Sequence, residues 1–149
     1  MSDEECIFCS ILSDKAPATF VYRDEHCAAL MDVRPVTPGH VVIVPVSHAP
    51  SLAELDAELA AHLMRVAHAI AAAQRKSGLR CEAVTLLLTD GAAAGQEVFH
   101  SHLHVFPRYR LDGFGLRFGP DYAYRPRNEL EDAAQALRPH VSGVVTKLR

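Results

Sequence analysis

The sequence lacks any uninterrupted apolar run of the ~18 to 20 residues that a membrane-spanning helix needs. Its first ten residues are acidic and contain no apolar stretch of the kind found in a secretory signal. Positive charge is not in excess either, because 15 Lys and Arg residues face 18 Asp and Glu residues. General nucleic-acid coating relies on such an excess. We therefore expect a cytoplasmic protein whose partners include neither nucleic acid nor a membrane.

Almost half of the residues, 49%, are hydrophobic and 22% are charged, which is the composition of a folded globular protein. A chain of 149 residues is long enough for one compact domain with a sizeable core and too short for two ordinary ones. The sequence contains no internal repeat, no low-complexity tract and no linker. We therefore treat residues 1–149 as a single domain.

Hydrophobic periodicity and turn residues predict an α+β fold, in which a mainly antiparallel, five-stranded sheet carries helices on a face. A long helix begins at Asp56 and ends near Gly78, and a C-terminal helix begins at Asn128 and ends before Pro139. The five strands are predicted over residues 18–23, 27–33, 40–46, 83–88 and 98–106.

The four cysteines are not expected to form a disulfide framework, because the cytosol keeps thiols reduced. Cys27 and Cys81 lie beside apolar segments and are predicted in or near the core. Cys6 and Cys9 form a C-x-x-C motif, which is typical of a redox dithiol or of half a zinc site. No strand precedes the motif, so zinc is favoured, and the two other ligands must come from elsewhere in the chain.

Three histidines, His100, His102 and His104, occupy alternate positions of the last predicted strand. Their rings are therefore expected on one face, with adjacent Cα atoms about 6.7 Å apart. Two kinds of site fit this pattern, a three-histidine metal site and a phosphate site in which an imidazole is the nucleophile. The small residues of loop 90–96 and the positive charge of Arg108 would suit a bulky anionic ligand.

The segments TPGHVVIVPVSH and GQEVFHSHLHVFPR, in this order after the C-x-x-C motif, resemble the histidine triad (HIT) family. The similarity extends from CIFC at the N-terminus to DGFG at residues 112–115. It implies one HIT-like domain with a core over about residues 6–110 and a C-terminal segment over 111–149. It also implies a homodimer, formed through the long helix and the strand before the active site, with no organic cofactor.

The family comprises nucleotide hydrolases and transferases that attack an α-phosphate and form a nucleotidyl-histidine intermediate. The resemblance implies that His102 is the nucleophile and that His104 contacts phosphate oxygens and steadies the developing charge. It also implies that His40 supports the tautomer of the nucleophile. The substrates expected are purine nucleotide phosphoramidates, phosphoesters or dinucleoside polyphosphates. Two other hypotheses stay open, a nucleotide-binding module with little turnover and a three-histidine metalloenzyme.

Four more residues are implied as substrate contacts. Asp32 matches the acidic group that holds the ribose hydroxyls, and Gln96 matches the residue that contacts the phosphate or the bridging atom. Thr89 stands where many members have Asn. Glu97 follows Gln96 where other members have Ser or Thr near the leaving group, and its carboxylate either points away from phosphate or selects a cationic leaving group.

The resemblance completes the zinc site as well. Zinc-bearing members use the histidine after the PGH strand and the first histidine of the triad, which here are His48 and His100. Together with Cys6 and Cys9 they make a Cys₂His₂ set, which is a closed structural site with no open position for water. We therefore expect stability, and not the chemical step, to depend on the metal.

Overall fold

The computed structural model describes residues 5–141, and within them the chain forms two compact units, one ending at Phe114 and one beginning at Gly115. The first unit contains two helices and five strands. They are α1 (Ile7–Leu12), β1 (Phe20–Arg23), β2 (Cys27–Met31), β3 (Val41–Pro45), α2 (Ala57–Lys76), β4 (Ala83–Leu87) and β5 (Leu103–Arg108). Short 3-10 turns lie at Leu52–Glu54 and Ala92–Ala94.

The five strands form one antiparallel sheet in the order β1-β2-β3-β5-β4. The predicted α+β fold with a five-stranded antiparallel sheet is thereby confirmed. Because β5 pairs with β3, the strand that follows helix α2 is placed at the edge. In the register of the central pair, Val42 lies opposite His104 and Val41 opposite Val105.

Both faces of the central strands are covered, which explains why β2 and β3 are nearly continuous apolar runs. Alternate residues, such as Ala29 and Ile43, pack against the buried side of α2. The residues between them, such as Leu30 and Val42, pack with Ile11 of α1 on the other face. Helix α1 therefore lies over the sheet face opposite α2, and this places the C-x-x-C motif against the sheet.

Helix α2 begins where the Asp56 carboxylate accepts hydrogen bonds from the backbone N–H groups of Glu58 and Leu59. It ends before Gly78, which has a φ of 84° and so takes the left-handed conformation that terminates helices. Its buried positions recur at helical spacing and are all apolar except Gln74.

The histidine segment differs from the prediction. The strand expected over residues 98–106 is instead Leu103–Arg108, so His100 and His102 precede it. Because the N–H of Ser101 donates to the carbonyl of Ala49 at 2.7 Å, the segment before β5 bonds to the loop after β3 instead of joining the ladder. Strand alternation therefore does not by itself place His100 and His102, but the three rings are still neighbours, since Phe8 packs against both His100 and His102, and His102 meets His104 at a centroid distance of 4.9 Å.

The second unit contains α3 (Arg127–Val141) and, before it, the stacked rings of Phe118 and Tyr122. The helix passes through Pro139, whereas the sequence predicted an end before it. Pro139 lies in the last turn, where its missing N–H removes a single helical hydrogen bond. The last part of the predicted 111–149 segment, residues 142–149, lies outside the described residues. Over residues 5–141, no helix combines the length and the apolar character needed to cross a membrane.

Candidate active site and metal centre

The imidazole of His102 is held by a main-chain carbonyl. Its Nδ1 lies 2.7 Å from the carbonyl oxygen of His100, and the residue is 8% exposed. A carbonyl can only accept, so Nδ1 carries the proton and Nε2 of the neutral ring keeps its lone pair. The ring of Phe8 packs against it at a centroid distance of 5.2 Å. The result is an oriented imidazole with one basic nitrogen, which is what a nucleophile requires.

A second chain of hydrogen bonds sets the tautomers of His40 and His104. The backbone N–H of Val36 donates to Nδ1 of His40 at 3.0 Å, so the proton of neutral His40 is on Nε2. That Nε2 lies 2.9 Å from Nδ1 of His104, which must accept. Neutral His104 therefore carries its own proton on Nε2, and the rings of His102 and His104 meet edge to face at 4.9 Å.

Burial disfavours the charged form of both imidazoles. It lowers the pKa of His104 to about 4, with further lowering from His102 and His40, while the Asp32 carboxylate acts in the opposite direction. Burial also lowers the pKa of His40, again against the influence of Asp32. At neutral pH, His104 is thus a hydrogen-bond donor that carries no charge.

Asp32 faces both rings from the end of β2. Its Oδ2 lies 3.5 Å from Nε2 of His40 and 3.7 Å from Nδ1 of His104, and its Oδ1 accepts from the N–H of Arg34. These three side chains are close enough to hold a metal ion. The Val36 hydrogen bond opposes that use, because it places the proton of His40 on the very nitrogen that would have to bind the metal. The cluster is better described as a hydrogen-bonded relay.

A separate cluster contains Cys6, Cys9, His48 and His100, whose ligand atoms all lie within 4.8 Å of one another. Nδ1 of His100 is 3.4 Å from Sγ of Cys6 and 3.6 Å from Sγ of Cys9, and Nδ1 of His48 is 3.3 Å from Sγ of Cys9. Tetrahedral zinc with ordinary Zn–S and Zn–N bonds separates its ligand atoms by about 3.3–3.8 Å. The spacing therefore suits four-coordinate zinc.

The tautomer of His100 also fits a metal ligand. Its Nε2 donates to the carbonyl of Pro45 at 2.8 Å, so Nδ1 has a lone pair to direct at the two thiols. His100 can therefore bind zinc through Nδ1 and keep its hydrogen bond to Pro45, whereas His40 could bind a metal through Nε2 only by losing its hydrogen bond from Val36. The four residues predicted as zinc ligands are the four that the fold brings together.

Comparison with known proteins agrees with these features. Residues 13–111 match the family model of the HIT domain. The chain belongs to the HIT domain family. The crystal structure of a HIT family protein from Bacillus anthracis is similar, with 34% identity, a TM-score of 0.84 and coverage of 93% of this chain and 99% of that one.

Two further relatives carry more specific descriptions. One is a Zn-bound histidine triad family protein from Mycobacterium smegmatis, with 35% identity, a TM-score of 0.73 and coverage of 97% of this chain and 100% of that one. The other is the adenylylsulfatase HINT3 of Arabidopsis thaliana. It is 34% identical over 108 residues, which cover 72% of this chain and 54% of that protein.

The triad histidines of this HIT protein have three different partners. Nδ1 of His100 faces the cysteines, that of His102 donates to the His100 carbonyl, and that of His104 accepts from His40. This arrangement does not favour the three-histidine metal site. It also changes the role implied for His40, since His40 bonds to His104, while the His100 carbonyl supports the tautomer of His102.

The remaining predicted contacts lie in the loops beside the triad. The Gln96 side chain is buried and bonds to backbone, donating to the carbonyls of Pro50 and Val98 and accepting from the N–H of Gly91. The exposed Glu97 carboxylate pairs with Arg34 at 3.0 Å. Thr89 lies half-buried just after β4. In this structure Gln96 holds loop 91–98 in place with its amide.

Sequence reasoning missed three groups that complete the site. The Val36 N–H and the Pro45 carbonyl fix two imidazole tautomers, and backbone groups have no signature in a sequence. Phe8 lies inside the C-x-x-C motif and packs against His102. Its apolar side chain predicts burial, but the sequence does not show which residue it contacts.

Proposed function

We propose that this HIT protein hydrolyses purine nucleotide phosphoramidates, phosphoesters or dinucleoside polyphosphates, or transfers their nucleotidyl group, through a nucleotidyl-His102 intermediate. The observation that carries the proposal is the pairing of opposite tautomers. His102 presents a lone pair on Nε2, and the adjacent His104 presents a proton on its Nε2. A nucleophile beside a donor is what attack on a phosphate ester or amide requires.

In the first step, Nε2 of His102 attacks the α-phosphorus, and the bond from phosphorus to the leaving atom breaks. The leaving atom takes the bonding electrons and gains a proton from solvent water, and the imidazole bonded to phosphorus becomes positively charged while Nδ1 still donates to the His100 carbonyl. In the second step, the oxygen of a water molecule bonds to phosphorus and displaces His102, and that water releases one proton to solvent. The electrons of the phosphorus–nitrogen bond return to Nε2, and the nucleotide leaves as a monophosphate. In a transferase, another acceptor takes the place of water.

His104 is a hydrogen-bond donor in this scheme. Its neutral Nε2–H would donate to a phosphate oxygen and stabilise the negative charge that develops during attack. His40 holds it in the donor tautomer, and Asp32 lies where it would stabilise any positive charge on the pair. The ribose contact implied for Asp32 stays part of the proposal, as do substrate contacts of Thr89, Gln96 and Glu97.

We further propose structural zinc on Cys6, Cys9, His48 and His100. With four protein ligands the site has no position for substrate or water, so its contribution is to hold the α1 segment and the triad segment together. The adenylylsulfatase name of one relative and the Zn-bound state of another support the activity and the metal respectively.

A homodimer is the assembly that we propose. Strand β4 is at the edge of the sheet, where its unpaired backbone groups are available to another chain. Leu86 of β4 and Met64 of α2 are 38% and 53% exposed, which leaves apolar surface on both elements predicted to form the interface.

The proposed activity is tested by incubating the protein with adenosine phosphoramidate and measuring AMP. Wild type should release AMP, and rapid quenching in an alkaline denaturant should trap a nucleotidyl adduct on a peptide that contains His102. His102→Ala should lose several orders of magnitude in turnover and still bind AMP, whereas the matched control His140→Ala, on exposed α3, should match wild type. Binding of AMP without turnover by wild type would instead identify a nucleotide-binding module.

A further inference from the structure

Gln74 is a buried polar residue on the otherwise apolar side of α2. It is 4% exposed and is the one polar side chain among the buried residues of α2. Its amide oxygen is buried without a hydrogen-bond partner. An apolar residue of similar size at this position would avoid that cost, so the amide must provide something else.

The amide nitrogen of Gln74 joins two strands beside the relay. It donates to the carbonyl of Gly39 and to the carbonyl of Val105, each at 2.9 Å. Gly39 directly precedes His40, and Val105 directly follows His104. One side chain from a helix therefore bonds to the backbone next to both members of the His40–His104 pair.

The backbone ladder needs such a link at this point. The paired register of β3 and β5 extends to Val41 and Val105, and its continuation would set Gly39 opposite Pro107. Proline has no N–H to donate, so the ladder cannot continue there. The two residues are nevertheless close, because a Cβ built on Gly39 would lie 3.2 Å from Cγ of Pro107.

Side chains replace the ladder beyond Val41. The hydroxyl of Thr37 donates to the carbonyl of Pro107 at 2.6 Å, and Gln74 supplies the two other bonds. The His40–His104 hydrogen bond, at 2.9 Å, crosses between the strands next to this region. Its length and direction thus depend on how firmly the two backbones are held together.

We infer that Gln74 is a positioning residue, which fixes the His40–His104 pair by bonding the backbone beside each of them. The inference deepens the function proposed above and rests on it for its kinetic consequence. Gln74 touches no substrate; it acts through the tautomer and direction of His104. Misplacement of a catalytic group by about 1 Å can lower turnover by up to about a hundredfold.

The experiment compares wild type with Gln74→Leu and Gln74→Met, which remove the donor and keep the volume. We expect both variants to fold, to show a kcat for adenosine phosphoramidate reduced about tenfold to a hundredfold, and to keep KM within about twofold. The matched control is Gln135→Leu on exposed α3, which should match wild type in both constants.

Nitrogen-15 NMR of the histidine rings provides a readout that needs no turnover. In wild type, His40 and His104 should each give the signals of a ring protonated on Nε2. In Gln74→Leu and Gln74→Met, the His104 signals should shift towards a mixture of both tautomers, and the signals of His140, which belongs to the other compact unit, should stay unchanged.

Unchanged His40 and His104 signals together with an unchanged kcat in either folded variant would overturn the inference. So would a loss of activity that follows only the fraction of protein folded, because a merely structural residue behaves in that way. If wild type turned over no nucleotide, the proposed function would fail, and the NMR comparison would still decide whether Gln74 positions the pair.

Discussion

His100 bonds to His102 through its main chain while its side chain faces the two cysteines. The main-chain carbonyl of His100 accepts a hydrogen bond from Nδ1 of His102 at 2.7 Å, and Nδ1 of the His100 ring lies 3.4 Å from Sγ of Cys6. The residue that would anchor the metal is thus the residue that sets the tautomer of the proposed nucleophile. Zinc at this centre would therefore orient His102 through the backbone without contacting substrate.

This arrangement leads to a prediction for Cys6→Ser. Protein purified without chelator should contain close to one zinc per chain, measured by elemental analysis, and the variant should contain much less. Loss of a structural metal removes binding free energy from the folded state, so Tm should fall by several degrees or more. Because His102 keeps its own carbonyl partner, kcat below the new Tm should fall less than about tenfold.

Cys81→Ser is the matched control for that variant, because Cys81 lies in the same folded unit and outside the cluster of predicted ligands. It should keep the zinc content of wild type. Full retention of zinc by a Cys6→Ser, Cys9→Ser double variant would show that the C-x-x-C motif does not anchor the metal.

The relay predicts a shift in the pH dependence of turnover. Burial lowers the pKa of His104 to about 4. Turnover should therefore fall as the pH drops towards 4, because Nδ1 of His104, once protonated, can no longer accept the hydrogen bond from His40. The Asp32 carboxylate raises that pKa, so Asp32→Asn should lower it further. The acidic limb of the kcat profile should therefore move to lower pH in Asp32→Asn.

The ribose role of Asp32 has a different signature. If Asp32 only holds the sugar hydroxyls, Asp32→Asn should raise KM for ribonucleotides, leave KM for 2′,3′-dideoxynucleotides unchanged and keep the acidic limb of kcat in place. The profile is best measured over pH 3.5 to 8 with both substrates, after circular dichroism has confirmed that the variant stays folded throughout. An acidic limb that does not move contradicts the relay.

Sequence patterns were sufficient for the sheet, the long helix and the C-x-x-C half of the candidate metal cluster, and the family resemblance added His48 and His100, which the fold brings beside the two cysteines. They were insufficient where a backbone group decides the chemistry. The resemblance implied that His40 supports the tautomer of His102, and no sequence pattern shows that the N–H of Val36 donates to Nδ1 of His40 and so leaves its Nε2–H to face His104. Gln74 gave no signal at all, since a polar residue on a helix ordinarily faces water.

The proposed homodimer predicts a solution mass near twice the 16.3 kDa of one chain by light scattering. Leu86→Glu would place a carboxylate in the middle of an apolar interface at the sheet edge and should shift the protein towards monomer. The control Leu111→Glu changes a side chain that is almost fully exposed in a turn and should leave the mass unchanged. A monomeric wild type at micromolar concentration would contradict the proposal.

A second cluster of titratable groups joins the β1–β2 turn to α2 and should contribute to stability. The Asp24 carboxylate accepts from the hydroxyl of Tyr22, from Nε2 of His62 and from the backbone N–H groups of His26 and Cys27, all at 2.7–2.8 Å. Burial raises the pKa of Asp24, but these hydrogen bonds outweigh it and hold the pKa well below its usual range. With four donors the carboxylate is saturated, so the cluster is a structural link.

Asp24→Asn tests that link through its pH dependence. Because the pKa is lower in the folded state, the ionised Asp24 stabilises the fold above its unfolded pKa of about 4, and this contribution is lost as the pH falls towards the folded pKa. The free energy of unfolding in urea should therefore drop by about 1.5–3 kcal/mol at pH 7 in Asp24→Asn. The difference from wild type should shrink by pH 2.5.

Asp14→Asn removes an exposed ion pair with Arg23 and should cost no more than about 1 kcal/mol. Equal losses in the two variants would show that the saturated carboxylate contributes no more than a surface charge.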